Sequence, residues 1–138
     1  MNNTKKLKNS RIFFRSLNSE RKLKKFPEIS SFSSLLFNLI QLKNLEVLDF
    51  LTSLGLSKSY SYQLLNGTKN PSRDTVIKIC LGIGAKVEQA NALLCLSGHH
   101  ELYIKDKRDA IIYFSLTNQI ALSDYNLIIE KENCLHLK

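Results

Sequence analysis

The sequence predicts an all-α chain in which a core of five helices is extended by a second helical hairpin and preceded by a basic arm. Three observations carry this. After Pro27, apolar residues recur at the i, i+3, i+4, i+7 spacing of amphipathic helices, while the strict alternation of a half-buried strand is rare. Cap-forming Ser and helix-ending Gly or Asn fall between those segments. A motif of Arg, Asp and apolar residues then returns at an offset of 35 positions. The expected organisation is an arm at 1–26, a core at 27–98 and a hairpin extension at 99–138.

Composition sets the outer limits. With 138 residues and 43% hydrophobic content, the chain is one domain, or a domain plus an arm, with enough apolar residues for a real core. No apolar run approaches the roughly 20 residues that a membrane span needs. The three cysteines, Cys80, Cys95 and Cys134, are odd in number, widely spaced and set among apolar residues. That is unlike a disulfide framework or a zinc ribbon, and it fits a reducing cytoplasm.

The net charge of +8 is sharply localised. Residues 1–26 hold nine cations (Lys5, Lys6, Lys8, Arg11, Arg15, Arg21, Lys22, Lys24 and Lys25) against the single acid Glu20, whereas 27–138 hold 11 basic and 11 acidic residues. A basic arm on a charge-balanced body fits a polyanion, most simply nucleic-acid phosphate. The same composition also suits a solubilising tail.

The helices follow in order. Residues 30–41 set Phe32, Leu35, Leu36, Leu39 and Ile40 on one side. Asn44 is the expected cap of a second helix carrying Val47, Leu48, Leu51 and Leu54, which Gly55 stops. A short third helix over 57–66 starts at the cap residue Ser57 and breaks at Asn66-Gly67 and Asn70-Pro71. At about two and a half turns it cannot persist alone, so its neighbours must hold it. Ser72 caps the fourth helix over 73–84, with Asp74 well placed in its first turn. The fifth covers 86–96 and stops at Gly98.

Arg73-Asp74-Thr75-Val76-Ile77 then matches Arg108-Asp109-Ala110-Ile111-Ile112, and the register holds without a gap. Leu81 meets Leu116, Val87 meets Leu122, Asn91 meets Asn126, and Gly98 meets Asn133. Both copies read as helical hairpins. Because two units are fewer than a solenoid needs, the second is expected to pack on the first. Asn91 and Asn126 fit inter-helix hydrogen bonds better than ligands.

Gly55-Leu-Ser-Lys-Ser-Tyr-Ser-Tyr-Gln-Leu-Leu-Asn-Gly-Thr-Lys-Asn-Pro-Ser-Arg73, followed by a helix ending Leu81-Gly82-Ile83-Gly84, resembles the phage-repressor and xenobiotic-response-element family of bacterial helix-turn-helix transcriptional regulators. The resemblance implies a repressor-type core in which the third helix lies in the major groove of double-stranded DNA and the second crosses the backbone. Carried over by position, Lys58, Ser59 and Gln63 read bases. Their chemistry suits this, since Gln binds adenine bidentately, Lys donates to guanine, and Ser takes either role. Tyr62 joins them as a base contact and Tyr60 as a phosphate contact, although either tyrosine can instead fill the wedge between helices. Ser57, Thr68, Lys69 and Asn70 fall where phosphate is gripped by side chains and backbone N–H groups. Arg73 fits a phosphate contact by family position and a structural pair by its recurrence as Arg108. The chain departs from the family pattern at Val47, where a phosphate-clamping Gln is common, and at Leu51 and Ser61, which exchange large for small. Family members commonly bind as dimers, and 99–138 is the candidate homodimer contact.

No enzymatic constellation is present in the sequence: there is no glycine-rich phosphate loop, no nucleophile elbow and no carboxylate pair in a plausible cleft. Cys95, His99 and His100 lack a fourth metal ligand and are broken by Gly98, so they read as a loop, with no metal or cofactor implied. The competing class is a protein-interaction module, antitoxin-like or adaptor, that keeps the repressor fold without sequence-specific DNA binding. Val47 and the neutral body favour it.

Overall fold

A computed structural model describes residues 31–138, and the basic arm falls outside them. The described residues form seven helices and no strand: α1 (Phe32–Leu42), α2 (Val47–Ser53), α3 (Lys58–Asn66), α4 (Arg73–Ile83), α5 (Val87–Leu96), α6 (Lys107–Thr117) and α7 (Leu122–Lys131). One apolar core runs through all seven, from Phe32, Leu36 and Ile40 on α1 to Tyr125 and Ile129 on α7. The extension is thus continuous with the rest. Helix α4 lies at the centre, packed against α5, α6 and α7, while α1 gathers α2, α3 and α5.

The local starts and stops follow the side chains. Ser31, Ser57 and Ser72 each accept a backbone N–H from three residues ahead, and so open α1, α3 and α4. The second helix differs from expectation. Asn44 does not cap it but ends α1 in a left-handed conformation (φ 58°), donating its N–H to the carbonyl of Gln41. Asn tolerates that conformation better than other side-chain-bearing residues. The cap passes to Glu46, whose carboxylate accepts the N–H of Asp49 at 2.7 Å. Helix α2 therefore begins at Val47, with Val47, Phe50 and Leu51 buried.

The 35-residue repeat is physical. Helices α5 and α7 match at both ends, and the left-handed residues that close the repeat's helices coincide, Gly84 with Gln119 and Gly98 with Asn133. The bonds between the two hairpins are reciprocal. Arg73 grips Asp109 in a bidentate fork at 3.0 and 2.8 Å, and Arg108 grips Asp74 in another at 3.0 and 3.0 Å. Each guanidinium also reaches two carbonyls, His100 and Glu101 for Arg73, Leu135 and His136 for Arg108. Each carboxylate accepts one backbone N–H, from Tyr103 to Asp109 and from Lys138 to Asp74. Every partner of one set lies 35 positions from its counterpart.

Such reciprocity excludes a simple translation between the units. In a translated stack Arg108 would reach onward to a third unit, whereas here it turns back to the first. The contact is isologous, the intramolecular equivalent of a two-fold dimer interface, and it closes on itself. That closure is why two units suffice where an open solenoid needs more. Asn91 also serves the junction, its side-chain oxygen accepting the N–H of Leu102 in the loop before α6.

Burial by itself would raise the carboxyls of Asp74 and Asp109. The guanidinium and backbone hydrogen bonds, with the nearby positive charge, outweigh it and hold both below the usual 3.8. In acid the unfolded chain, whose carboxyls return to the ordinary value, therefore binds more protons than the folded one. The urea midpoint is expected to be flat from pH 7 to about 5 and to fall below about pH 4, with a shallower fall in Asp74→Asn. An acid limb of unchanged steepness in that variant would remove the pair from the pH response.

Candidate functional site

Helix α3 divides cleanly into two sides. Inward, Ser61 and Leu64 are wholly buried, and the Ser61 hydroxyl donates to the carbonyl of Ser57 at 2.8 Å, so this small polar residue sits in the core without a loose donor. Tyr60 is half-buried against the same core. From α1, the Ser33 hydroxyl donates to the carbonyl of Leu64 at 2.7 Å and ties the end of α3 down. Outward lie Lys58, Ser59, Tyr62 and Asn66, all exposed, with Gln63 half-buried beside them. The two tyrosines thus part company, Tyr60 in the wedge and Tyr62 in the open at 53% exposure. Asn66, expected only as a turn residue, shares this outward side as the last residue of the helix. Its signal is the helical spacing, four residues beyond Tyr62 and three beyond Gln63.

The loop after α3 is more committed than expected. The N–H groups of Thr68 and Lys69 both donate to the carbonyl of Gln63, at 3.0 and 3.3 Å, closing the helix end over Gly67. Those amides are therefore occupied and do not remain to grip phosphate, which leaves the exposed Lys69 ammonium. The Thr68 hydroxyl bonds the side-chain oxygen of Asn66 at 2.7 Å. Asn70 donates its side-chain N–H to the carbonyl of Ser97 at 2.8 Å. Arg73 has its guanidinium on Asp109 and two carbonyls, so of its two readings the structural pair is the one the geometry carries.

Two further features bear on charge. Val47, which the resemblance sets where a phosphate-clamping Gln is common, faces the core at 7% exposure. Beside it the N-terminus of α2 carries the acids Glu46 and Asp49, both exposed, which make that end of the helix locally negative. Leu51 is buried along with Ser61, in keeping with an exchange of large and small between α2 and α3.

His99 lies in a loop as expected and is half-buried there, its Nε2 2.8 Å from the carbonyl of Pro71. No local pattern announces such a contact, because it joins residues 28 apart. Among the described residues no three His, Cys, Asp or Glu gather as a metal would require, and no helix is long and apolar enough to cross a membrane. An open cleft of about 560 Å³ lies over the reciprocal pairs, lined by Arg73, His100, Tyr103, Lys107, Arg108 and Asn133 among others. The chain matches no family model, no curated protein and no solved structure.

The split between the tyrosines gives a direct check. Tyr60→Ala is expected to cost roughly 1–3 kcal/mol in urea unfolding, and Tyr62→Ala to stay within about 0.5 kcal/mol of the parent. Equal costs would mean that α3 is not seated with this side inward.

Proposed function

We propose that the chain is a sequence-specific double-stranded DNA-binding transcriptional regulator, in which α1–α5 act as a repressor-type helix-turn-helix core and α3 enters the major groove. The observation that carries the reading is the outward side of α3. Lys58, Ser59, Tyr62, Gln63 and Asn66 stand together on a helix whose other side is held by α1 and α2. These are groups that hydrogen-bond base edges or touch thymine methyls, and a rigid short helix presents them without an ordering cost at binding. Lys69 flanks them as a phosphate contact. The nine cations of 1–26 supply the affinity that a charge-balanced body lacks, through counterion release. Tyr113, Phe114 and Leu127, exposed on α6 and α7, support a second-copy contact through 99–138.

A second reading rests on the N-terminus of α2. With Val47 turned inward and Glu46 and Asp49 exposed there, that end of the helix disfavours the DNA backbone. The same surface suits a protein partner, which makes the chain an interaction module that keeps the fold.

Selection of duplexes from a random pool by the full chain separates the two. The DNA reading expects a recovered motif, a loss of about 1–3 kcal/mol per base-reading contact in Lys58→Ala and Gln63→Ala, and a flatter dependence of log affinity on log salt when 1–26 are deleted. No enrichment at low salt would reject it in favour of the interaction module.

A further inference from the structure

The bonds that join the two hairpins are equivalent by repeat but not by position, because one half of the set adjoins α3. The chain leaves α3 through Gly67, Thr68, Lys69, Asn70, Pro71 and Ser72 and enters α4 at Arg73. Three successive ties fasten that passage to the loop between α5 and α6. Asn70 donates to the carbonyl of Ser97 at 2.8 Å, the carbonyl of Pro71 meets His99 Nε2 at 2.8 Å, and Arg73 clasps Asp109 together with the carbonyls of His100 and Glu101. The equivalent clasp by Arg108 falls on Asp74, one residue further along and inside α4, with the chain's last residues over it. Helix α3 has only nine residues, and its end is held by the turn onto Gln63, by Thr68 on the Asn66 side chain and by Ser33. What fastens the loop therefore bears on where α3 points.

We propose that the α6–α7 hairpin serves α3 as a brace, with Asp109 as a positioning residue that holds the α3–α4 loop through Arg73. The functional half of this rests on the reading that α3 binds DNA. The structural half does not, and it stands or falls on the loop alone. Asp109 has 3% of its side chain exposed and lies on α6, away from any group assigned to DNA, so a change there acts through Arg73 and not by direct contact. Because the repeat supplies a chemically matched partner in Asp74, the molecule contains its own control. Removing either carboxylate breaks one bidentate fork between the same two hairpins, but only one of the forks is tied to the loop.

The experiment compares full-length Asp109→Asn and Asp74→Asn by amide hydrogen exchange without DNA, read at Thr68 and Lys69, and by titration with a duplex recovered from selection. Asp109→Asn is expected to speed exchange at Thr68 and Lys69 by about tenfold beyond any change in global stability and to weaken duplex binding on the order of tenfold. Asp74→Asn should leave both near the parent. Asn70→Ala, at an exposed residue that does not threaten folding, should reproduce the exchange change if Asp109→Asn folds poorly. Equal exchange in Asp109→Asn and Asp74→Asn, or no change in either Asp109→Asn or Asn70→Ala, would overturn the brace. If the parent binds no duplex, the DNA reading fails while the exchange comparison still decides the structural claim.

Discussion

Two arginines that each cross to the other hairpin's aspartate set the form of the C-terminal half of this protein. A bidentate guanidinium–carboxylate fork has a fixed plane and a fixed distance, so a pair of them related by a two-fold permits little sliding or rotation between the hairpins. Net stability is not the main reason to expect such a device, because partly buried ion pairs recover little beyond their desolvation. Geometry is. Each fork also collects two carbonyls and a backbone N–H, all from chain that would otherwise be irregular surface loop. The pairs thus order the loop before α6 and the last residues together with the helices.

The apolar core beneath is less symmetric than the bonds above it. Where the first hairpin has Ala90, the second has Tyr125, wholly buried, with its phenol pushed up to about 12 chiefly by burial. Where α4 has Cys80, α6 has Ser115, buried as well and with its hydroxyl unpartnered among the described residues. The packing differs between the copies, while the two forks keep every equivalent bond. Each fork needs its own arginine and its own aspartate, whereas an apolar core accepts residues of different size when its neighbours repack. At the other end, α1 and α2 hold α3, and its outward polar residues are free of core duties. The protein divides its labour between a rigid two-hairpin base and a short helix presented by it.

Much of this was legible in the sequence, for reasons that differ by element. The caps Ser57 and Ser72 and the left-handed stop at Gly55 act within a few residues, so local chemistry sufficed for α3 and α4. The repeat was legible because its spacing is constant, and it already cast Arg73 as one of a structural pair. Its partner was not legible. An Arg-Asp dipeptide suggests a local pair, and only the fold reveals that each arginine passes its neighbour and crosses to the other copy. Asn44 misled because the same side chain that caps a helix start also tolerates a left-handed helix end, and the structure used the second property. The amides of Thr68 and Lys69 could not be assigned from residue types, since their bonds to Gln63 depend on backbone conformation alone. His99 and Asn70 belong to the same class, their partners lying 28 and 27 positions away.

If the two forks close one interface, they are energetically one unit, and a double-mutant cycle by urea unfolding tests that directly. Asp109→Asn, Asp74→Asn and the double variant are compared at neutral pH. The account predicts that the double variant costs less than the sum of the singles, by about 0.5–3 kcal/mol, because opening one fork has already loosened the other. Costs that add to within about 0.3–0.5 kcal/mol would show two independent surface pairs and contradict the closed two-fold.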